Sequence, residues 1–518
     1  MKKLSLLALG LVFACNSTQK TVPTPVQEKA VADPVPYARS ITQEELKELL
    51  YTYASDEFQG RETGEPGQKL AVEFLKSFYK ELGIPAAKAD GDYFQPVPLE
   101  VAKVPSGEVS INGKDYGLGE NLVTFASAKG NFKEVAYAGY GVEEGSYSDY
   151  SDLDVNGKIV LIKAGEPVDA DGNFVLSGDK EPSVWSNPGE SMGKKTSLAM
   201  DKGAKGVLYF DGNSFPRFKG YFDYMKTQGS GRMNLASDQE NPIMISLDQT
   251  AAQAIKKDIL EDNDPKIVAV DLAFHVESAN ESVASENVVA LIRGTEKPDE
   301  YVVISSHLDH VGVGADGDVF NGADDDGSGS VAMLEIAEAF KKAADAGHGP
   351  KRSILFLHVT AEEKGLLGSR YYTDVDPIVP LDQTVADLNI DMIGRIDPNY
   401  KGARNYLYLI GADKLSSELH ELSEAVNDKY TQIEFDYTYN DENDPNRFYY
   451  RSDHYNFAKN NIPIIFYFNG THADYHRPGD TPDKIEYDLL ENRSRLIFHT
   501  AWEIANRDQR LVVDKAAD

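Results

Sequence analysis

The chain has 518 residues, which is too long for one ordinary hydrophobic core and predicts two or three domains. Its formal net charge of -32 argues against nucleic acid or an anionic membrane surface as the main partner. With a single cysteine, the chain cannot form an internal disulfide, so we expect its core rather than cross-links to stabilise it.

The first 36 residues predict export and a spacer. Lys2 and Lys3 precede an apolar run, residues 4–13, that is too short to span a bilayer, and Cys15 follows it. Residues 1–15 resemble a bacterial lipoprotein signal peptide, which would be cleaved before Cys15 and leave a lipid on its sulfur. Residues 16–36 are rich in Thr, Pro and Val and predict a flexible linker. We therefore expect an exported chain, lipid-anchored to a bacterial membrane in the periplasm or at the cell surface.

The pattern of apolar and polar residues changes twice along the rest of the chain. Residues 37–103 contain a helical apolar pattern that ends at Gly83, and we assign them to the first part of the main domain. Residues 104–282 show short apolar runs broken by Gly, Asp and Asn, which predict an inserted, mostly β domain. One helix at 197–202 and a strand at 206–210 are expected inside this insertion.

Residues 283–518 alternate apolar strands with amphipathic helices. This alternation predicts an α/β fold with a mixed, mostly parallel sheet flanked by helices. The predicted strands are 288–292, 301–306, 353–359, 385–390 and 463–468, and the predicted helices are 331–344, 366–373 and 417–426.

Imidazoles and carboxylates follow four of these strands directly. In open α/β sheets, ligands bind beyond the carboxyl ends of the strands, so these side chains are candidates for one site. They are His307 and Asp309, then Glu362 and Glu363, then Asp391, and finally Tyr475 and His476 with their neighbours.

A glycine-rich acidic turn adds a fifth contribution. Asp324, Asp325 and Asp326 are consecutive and would repel one another unless cations or a helix N-terminus offset their charge. Taken alone, the turn is also compatible with a solvated loop or a simple helix cap. Its position before a predicted helix, beside the other strand ends, favours metal binding.

Two histidines and three carboxylates without a cysteine form a nitrogen and oxygen donor set that suits zinc. One tetrahedral ion would leave donors unused, whereas two ions about 3.5–4 Å apart that share a carboxylate use all five and activate a water. A carboxylate outside the donor set must then accept the proton of that water. The adjacent Glu362 and Glu363 offer one ligand and one base.

Several motifs in register resemble the di-zinc aminopeptidase family, which is related to bacterial leucyl aminopeptidases and also includes glutamate carboxypeptidases and glutaminyl cyclases. The similarity extends to Arg451-Ser452-Asp453-His454 and to Asp480-Thr481-Pro482-Asp483. The main matching motifs are His307-Leu308-Asp309, Gly322 to Gly329, Ala361 to Ser369, Asn389 to Gly394 and Tyr475-His476.

The resemblance implies a zinc exopeptidase fold and a role for each motif residue. His307 and Asp391 would hold one zinc ion, Glu363 and His476 the other, and Asp325 would bridge them. Glu362 would be the general base. Asp309 would accept a hydrogen bond from His307, and Tyr475 would donate to the oxyanion. Asp324 and Asp326 stand where the family often has Asn, so extra charge at the metals is expected.

Residues 104–282 resemble a protease-associated domain, most clearly at Ala138-Gly139-Tyr140-Gly141 and at residues 154–160. Such an insertion would cover the active site or help to bind substrate. The other histidines are interpreted as surface or core residues. His310, His454 and His472 lie nearer the motifs, and for them a role in supporting the ligands or contacting substrate is the alternative.

The expected activity is that of a metallopeptidase acting on peptides, most simply an aminopeptidase. A carboxypeptidase on the same scaffold is the alternative within enzymes, and an inactive surface-binding protein is the alternative from another class. Side-chain preference and oligomeric state are open at this stage. Acidic residues that would attract a free amino end are Asp441, Glu442 and Asp444; basic residues that would hold a carboxyl end are Arg447, Arg451 and Arg477.

Overall fold

Apolar runs build two large sheets in a computed structural model that describes residues 31–187, 189–229, 231–237 and 242–515. The described residues from Pro34 onward cluster as one compact unit. Cys15, the predicted signal peptide and most of the predicted linker lie outside the described residues. No described helix is long and apolar enough to cross a membrane.

The strands, in chain order, are β1 (Phe94–Val101), β2 (Ser106–Ile111), β3 (Lys114–Tyr116), β4 (Leu122–Val123), β5 (Ala128–Tyr137), β6 (Glu143–Glu144), β7 (Tyr147–Ser148), β8 (Ile159–Lys163), β9 (Gly206–Phe210), β10 (Met233–Leu235), β11 (Ile243–Leu247), β12 (Lys266–Glu277), β13 (Glu281–Ile292), β14 (Lys297–His307), β15 (Arg352–Val359), β16 (Thr384–Ile390), β17 (Tyr406–Ile410), β18 (Glu434–Asp436) and β19 (Ile464–Phe468).

The α-helices are α1 (Val35–Ala38), α2 (Gln43–Tyr53), α3 (Pro66–Glu81), α4 (Ser191–Asp201), α5 (Phe215–Gln228), α6 (Gln249–Ile255), α7 (Gly329–Asp345), α8 (Leu367–Asp374), α9 (Ser417–Tyr430), α10 (His454–Ala458) and α11 (Tyr487–Asn506).

The larger sheet has nine strands in the order β10-β1-β13-β15-β14-β16-β19-β17-β18. The α/β class predicted from the sequence is confirmed, and all five predicted strands are present. The sheet is more mixed than predicted, however, because four of its eight neighbouring pairs are parallel. β15 and β16 are buried along their whole length, as expected for central strands covered by helices on both faces.

Helices cover this sheet through long apolar faces. α7 and α11 pack against each other, and the rings of Phe340 and Phe498 lie 4.8 Å apart between them. α7 begins directly after the acidic turn and thereby holds that turn at the sheet edge.

The smaller sheet has eight strands in the order β3-β2-β12-β5-β8-β9-β11-β4, all from residues 106–277. The described part of this segment carries α5 and α6 besides the predicted helix, so the sequence interpretation missed two helices. In α5 only Phe215, Phe222 and Met225 are buried, while Tyr221 and Tyr224 are exposed. Because aromatic side chains lie on both the buried and the exposed face of α5, its sequence does not show the one-face apolar spacing expected of a helix.

One strand of the middle segment joins the larger sheet instead. β10 pairs antiparallel with β1, and Met233 and Leu235 pack against Ala361 and Leu367. The segment that precedes Glu362 is therefore supported by residues from both predicted domains.

Candidate metal centre

Parallel pairing brings the predicted donors to one edge of the larger sheet. β15, β14, β16 and β19 are consecutive and parallel, so their carboxyl ends lie side by side. His307 is the last residue of β14, Asp391 follows β16, and Glu363 lies in the turn after β15. Asp325 lies in the turn before α7, and His476 lies in the loop after β19.

All five predicted donors meet at this edge. His307 Nε2 lies 3.2 Å from Asp325 Oδ1 and 3.5 Å from Asp391 Oδ1. His476 Nε2 lies 3.0 Å from Asp325 Oδ2 and 3.2 Å from Glu363 Oε2. Asp325 thus faces one donor group with each of its oxygens, which is the arrangement expected of a bridging carboxylate.

The donor set fits cations rather than a closed hydrogen-bond network. Asp325 Oδ2 and Glu363 Oε1 are buried and have no hydrogen-bond partner among the described residues, although histidine nitrogens lie near both. Ligands about 2.0–2.1 Å from a tetrahedral zinc ion lie about 3.3 Å from one another. The measured separations of 3.0–3.5 Å match that spacing.

Electrostatics leads to the same conclusion. Burial raises the pKa of Asp325, but His310, His307 and His476 outweigh it and hold that pKa well below its ordinary value. Burial lowers the pKa of His476, yet Asp325 and Glu363 raise it to about 10. Several ionised carboxylates in a buried cluster require positive charge beside them.

Asp309 supports His307 differently from the sequence expectation. The Nδ1 of His307 lies 3.0 Å from the main-chain carbonyl oxygen of Asp309, which leaves Nε2 toward the other donors. The carboxylate of Asp309 instead accepts hydrogen bonds from Thr63 Oγ1 at 2.8 Å and from the Glu362 N–H at 3.1 Å. Asp309 therefore fixes the main chain beside Glu362 as well as the ring of His307.

Ser452, from the Arg451-Ser452-Asp453-His454 motif, supports Asp391. Ser452 Oγ donates to Asp391 Oδ2 at 2.7 Å, while Asp391 Oδ1 faces His307. Asn389 Nδ2 donates to Ser452 Oγ at 2.8 Å, and Ser305 Oγ donates to Asn389 Oδ1 at 2.9 Å. This buried chain determines which oxygen of Asp391 is free to bind.

Asp324 and Asp326 each accept a hydrogen bond from the main chain that follows β16. Asp324 Oδ1 accepts from the Gly394 N–H at 2.6 Å, and Asp326 Oδ1 accepts from the Met392 N–H at 3.1 Å. Asp480 Oδ2 in turn accepts from the N–H groups of Asp324 and Asp325. These two carboxylates therefore hold the turns together, and the tuning of the metals by their charge stays a prediction.

A buried arginine joins the N-terminal segment to the site. Arg61 is fully buried, and its guanidinium donates to the carbonyl oxygens of Leu308, Tyr53, Asn321 and Gly322 at 2.7–3.2 Å. These carbonyls flank both the His307 loop and the acidic turn. No local pattern in the sequence predicts this contact, because its partners lie far apart in the chain.

A pocket opens beside the donors. Glu362 lies in its wall together with Asp325, Asp391 and His476. Burial and the nearby Glu363, Asp391 and Asp453 raise the pKa of Glu362 well above its ordinary value, against the opposing effect of His307. The remaining lining residues are Met392, Phe448, Arg451, Phe466, Phe468, Thr471 and Tyr475.

Tyr475 lies in the pocket wall, but the acidic residues expected to bind a free amino end do not. Tyr475 lines the pocket, and its hydroxyl lies 3.4 Å from an Arg451 nitrogen. Asp441, Glu442 and Asp444 do not line it, and Asp444 accepts from the N–H groups of Asn446 and Phe448. The acidic segment expected to attract a free amino end is therefore not part of this pocket.

The sequence analysis did not count His310 among the metal ligands. It is fully buried, and its Nδ1 lies 2.9 Å from Glu363 Oε1 and 3.7 Å from Asp325 Oδ2. His310, Asp325 and Glu363 form one of two groups in the described chain that could hold a metal ion; His307, Asp325 and Asp391 form the other. Its position directly after the His307-Leu308-Asp309 motif was the available signal.

Parallel strand ends that carry histidine and carboxylate donors beside a pocket are typical of metal-dependent hydrolases. Residues 287–501 match the model of peptidase family M28.

The chain is similar to several known proteins. A probable leucine aminopeptidase 2 from Aspergillus oryzae is 29% identical over 262 residues, which cover 46% of this chain and 47% of that protein. A probable glutamate carboxypeptidase from Arabidopsis thaliana is 35% identical over 106 residues, or 20% of this chain and 14% of that protein. The chain thus spans about half or less of the length of these relatives. The structure of an aminopeptidase from Aneurinibacillus sp. strain AM-1 aligns with a TM-score of 0.45 and 19% identity, covering 93% of this chain and 98% of that one.

Proposed function

We propose that this chain is a zinc-dependent aminopeptidase that removes N-terminal residues from peptides. The observation that carries the proposal is the convergence of His307, Asp325, Glu363, Asp391 and His476 beside Glu362 in the pocket wall. The M28 match and the leucine aminopeptidase relatives support peptides as the substrate class.

We assign His307 and Asp391 to one zinc ion, Glu363 and His476 to a second, and Asp325 to both. The bound ions would polarise the scissile carbonyl and lower the pKa of an attacking water. Glu362 lies in the pocket wall and would accept the proton from that water and return it to the leaving amine. Tyr475 and Arg451 lie in the same wall, where a hydroxyl and a guanidinium would stabilise a developing oxyanion.

Metal analysis tests the two-ion assignment. Five donors exceed the needs of one tetrahedral catalytic site with an open position, so the purified active protein should contain about two zinc ions per chain. Full activity with a single tightly bound ion, or with none, would contradict this assignment.

The cleaved end is tested with one peptide in three forms: unmodified, N-acetylated and C-amidated. An aminopeptidase should lose cleavage of the acetylated form and keep cleavage of the amidated form. The opposite result would favour a carboxypeptidase, for which Arg451 in the pocket wall is the specific structural argument. No cleavage of any form by zinc-loaded protein would favour an inactive surface-binding protein.

We also propose that residues 104–282 act as a protease-associated insertion and that Cys15 carries a lipid. The eight-stranded sheet supports the first proposal, and the sequence around Cys15 supports the second. In a bacterial host, Cys15→Ser should leave peptidase activity intact and move it out of the membrane fraction. Continued membrane retention of this variant would argue for another anchor.

A further inference from the structure

His310 presents buried donor atoms that lack a protein partner. Its side chain is fully buried, and neither ring nitrogen has a hydrogen-bond partner among the described residues. A buried polar group left unsatisfied is unfavourable by about 1–3 kcal/mol. A native site that keeps such a group usually provides a partner that the protein atoms alone do not show.

The surroundings of His310 identify that partner as a cation. Its Nδ1 lies 2.9 Å from Glu363 Oε1 and 3.7 Å from Asp325 Oδ2, and both of these oxygens are also buried without a hydrogen-bond partner. The two distances bracket the separation of about 3.3 Å expected between ligands of one zinc ion. Three donor atoms therefore lie together, with Nδ1 of His310 within ion-pair distance of Glu363 Oε1.

Glu363 divides its oxygens between two histidines. Oε1 faces His310, while Oε2 lies 3.2 Å from Nε2 of His476. The two rings meet edge to face with centroids 5.7 Å apart. His476 is 38% exposed, whereas His310 is closed off from solvent. The second metal position is therefore surrounded by one buried and one accessible imidazole.

We propose that His310 is a direct ligand of the second metal position, in addition to Asp325, Glu363 and His476. This inference depends on the two-metal assignment above and extends it. With His310 the second position has four protein donors, whereas His307, Asp325 and Asp391 supply three at the first. Because four protein donors complete a tetrahedral zinc site, the second position should hold its ion more tightly than the first.

The test measures zinc content per chain during titration with a chelator, together with the visible spectrum of the cobalt-substituted protein. The wild type should lose its two ions in two separate steps. In both His310→Phe and His310→Gln, the affinity of the tighter step should fall more than about 100-fold, beyond the range for removing a partner of a ligand. The cobalt spectrum should change in both variants because the number of ligands changes.

The glutamine variant separates binding from positioning. If His310 only donated a hydrogen bond to Glu363, the amide of His310→Gln would restore the affinity to within about tenfold of wild type, and the proposal would be wrong. Unchanged affinity and cobalt spectrum in both variants would also overturn it. His454→Gln is the matched control, since His454 is buried but belongs to no metal-binding group in the described chain.

A wild-type chain that holds only one ion would refute the two-metal assignment separately. The response of that ion to His310→Phe and His310→Gln would still decide the role of His310. Far-UV circular dichroism and the melting temperature of each variant establish that the fold is retained.

Discussion

Replacement of two adjacent glutamates separates proton transfer from metal binding. Glu362→Gln places an amide where we expect the general base. The side chain of Glu362 lies in the pocket wall, and its main-chain N–H is held by Asp309 Oδ1 at 3.1 Å. Glutamine has the same shape and keeps this main-chain contact, but its amide cannot accept a proton. The fold and the metal content should therefore be unchanged.

The expected loss is large and confined to turnover. General base catalysis contributes about 10²–10⁴-fold, which corresponds to about 3–5 kcal/mol in the activation free energy. We expect kcat of Glu362→Gln to fall within this range on an unblocked leucine peptide, with zinc content unchanged by elemental analysis. KM should change little, because the amide preserves the volume of the pocket wall.

Glu363→Gln is the paired variant and should behave differently. Glu363 lies 2.9 Å from His310 and 3.2 Å from His476, so the substitution removes an anionic donor from the second metal position. Its zinc content should fall, and excess zinc should restore part of its activity. If Glu362→Gln lost zinc while Glu363→Gln kept zinc and lost turnover, the assigned roles of base and ligand would be reversed.

Three further predictions follow from buried contacts. Ser452→Ala should lower zinc affinity about 10- to 100-fold, because Asp391 loses its 2.7 Å hydrogen bond. The control Ser423→Ala, at a buried helical serine, should leave zinc affinity unchanged. If both variants bound zinc with the same affinity, Ser452 would have no such supporting role. Arg61→Met should lower the free energy of unfolding by about 3 kcal/mol, because four carbonyl oxygens lose their hydrogen-bond donor. The control is Arg404→Met at an exposed ion pair, which should change the free energy of unfolding by less than about 1 kcal/mol. Denaturant titrations measure both values. Burial lowers the pKa of His358 to about 3. As the pH falls below about 6.5, the His358 side chain of the unfolded chain therefore binds a proton while that of the folded chain stays neutral. The free energy of unfolding then falls as the pH drops from about 6.5 toward 3. Between pH 7 and pH 5 this histidine should account for a loss of about 2 kcal/mol that is absent in His358→Gln, and an equal loss in both proteins would refute the assignment.

The strand and helix pattern of residues 283–518 was readable from the sequence because continuous apolar runs and one-face periodicity are local properties. Four of the donors were readable for a related reason: each lies beyond the end of a predicted strand, and parallel strands place their carboxyl ends at one edge, while Asp325 lies in the acidic turn before a predicted helix. The motif resemblance then implied the pairing of His307 with Asp391 and of Glu363 with His476, and both pairs lie close together in the structure.

Contacts between distant segments were decided only by the tertiary structure. Arg61 reaches carbonyl oxygens about 250 positions away in the chain, and β10 leaves its own segment to join the larger sheet. His310 looked like a supporting residue because its burial and its distance to Glu363 depend on how two loops pack. Local sequence determines which side chains a strand end carries, but the packing of separate loops determines which of their atoms lose water and converge on the same point.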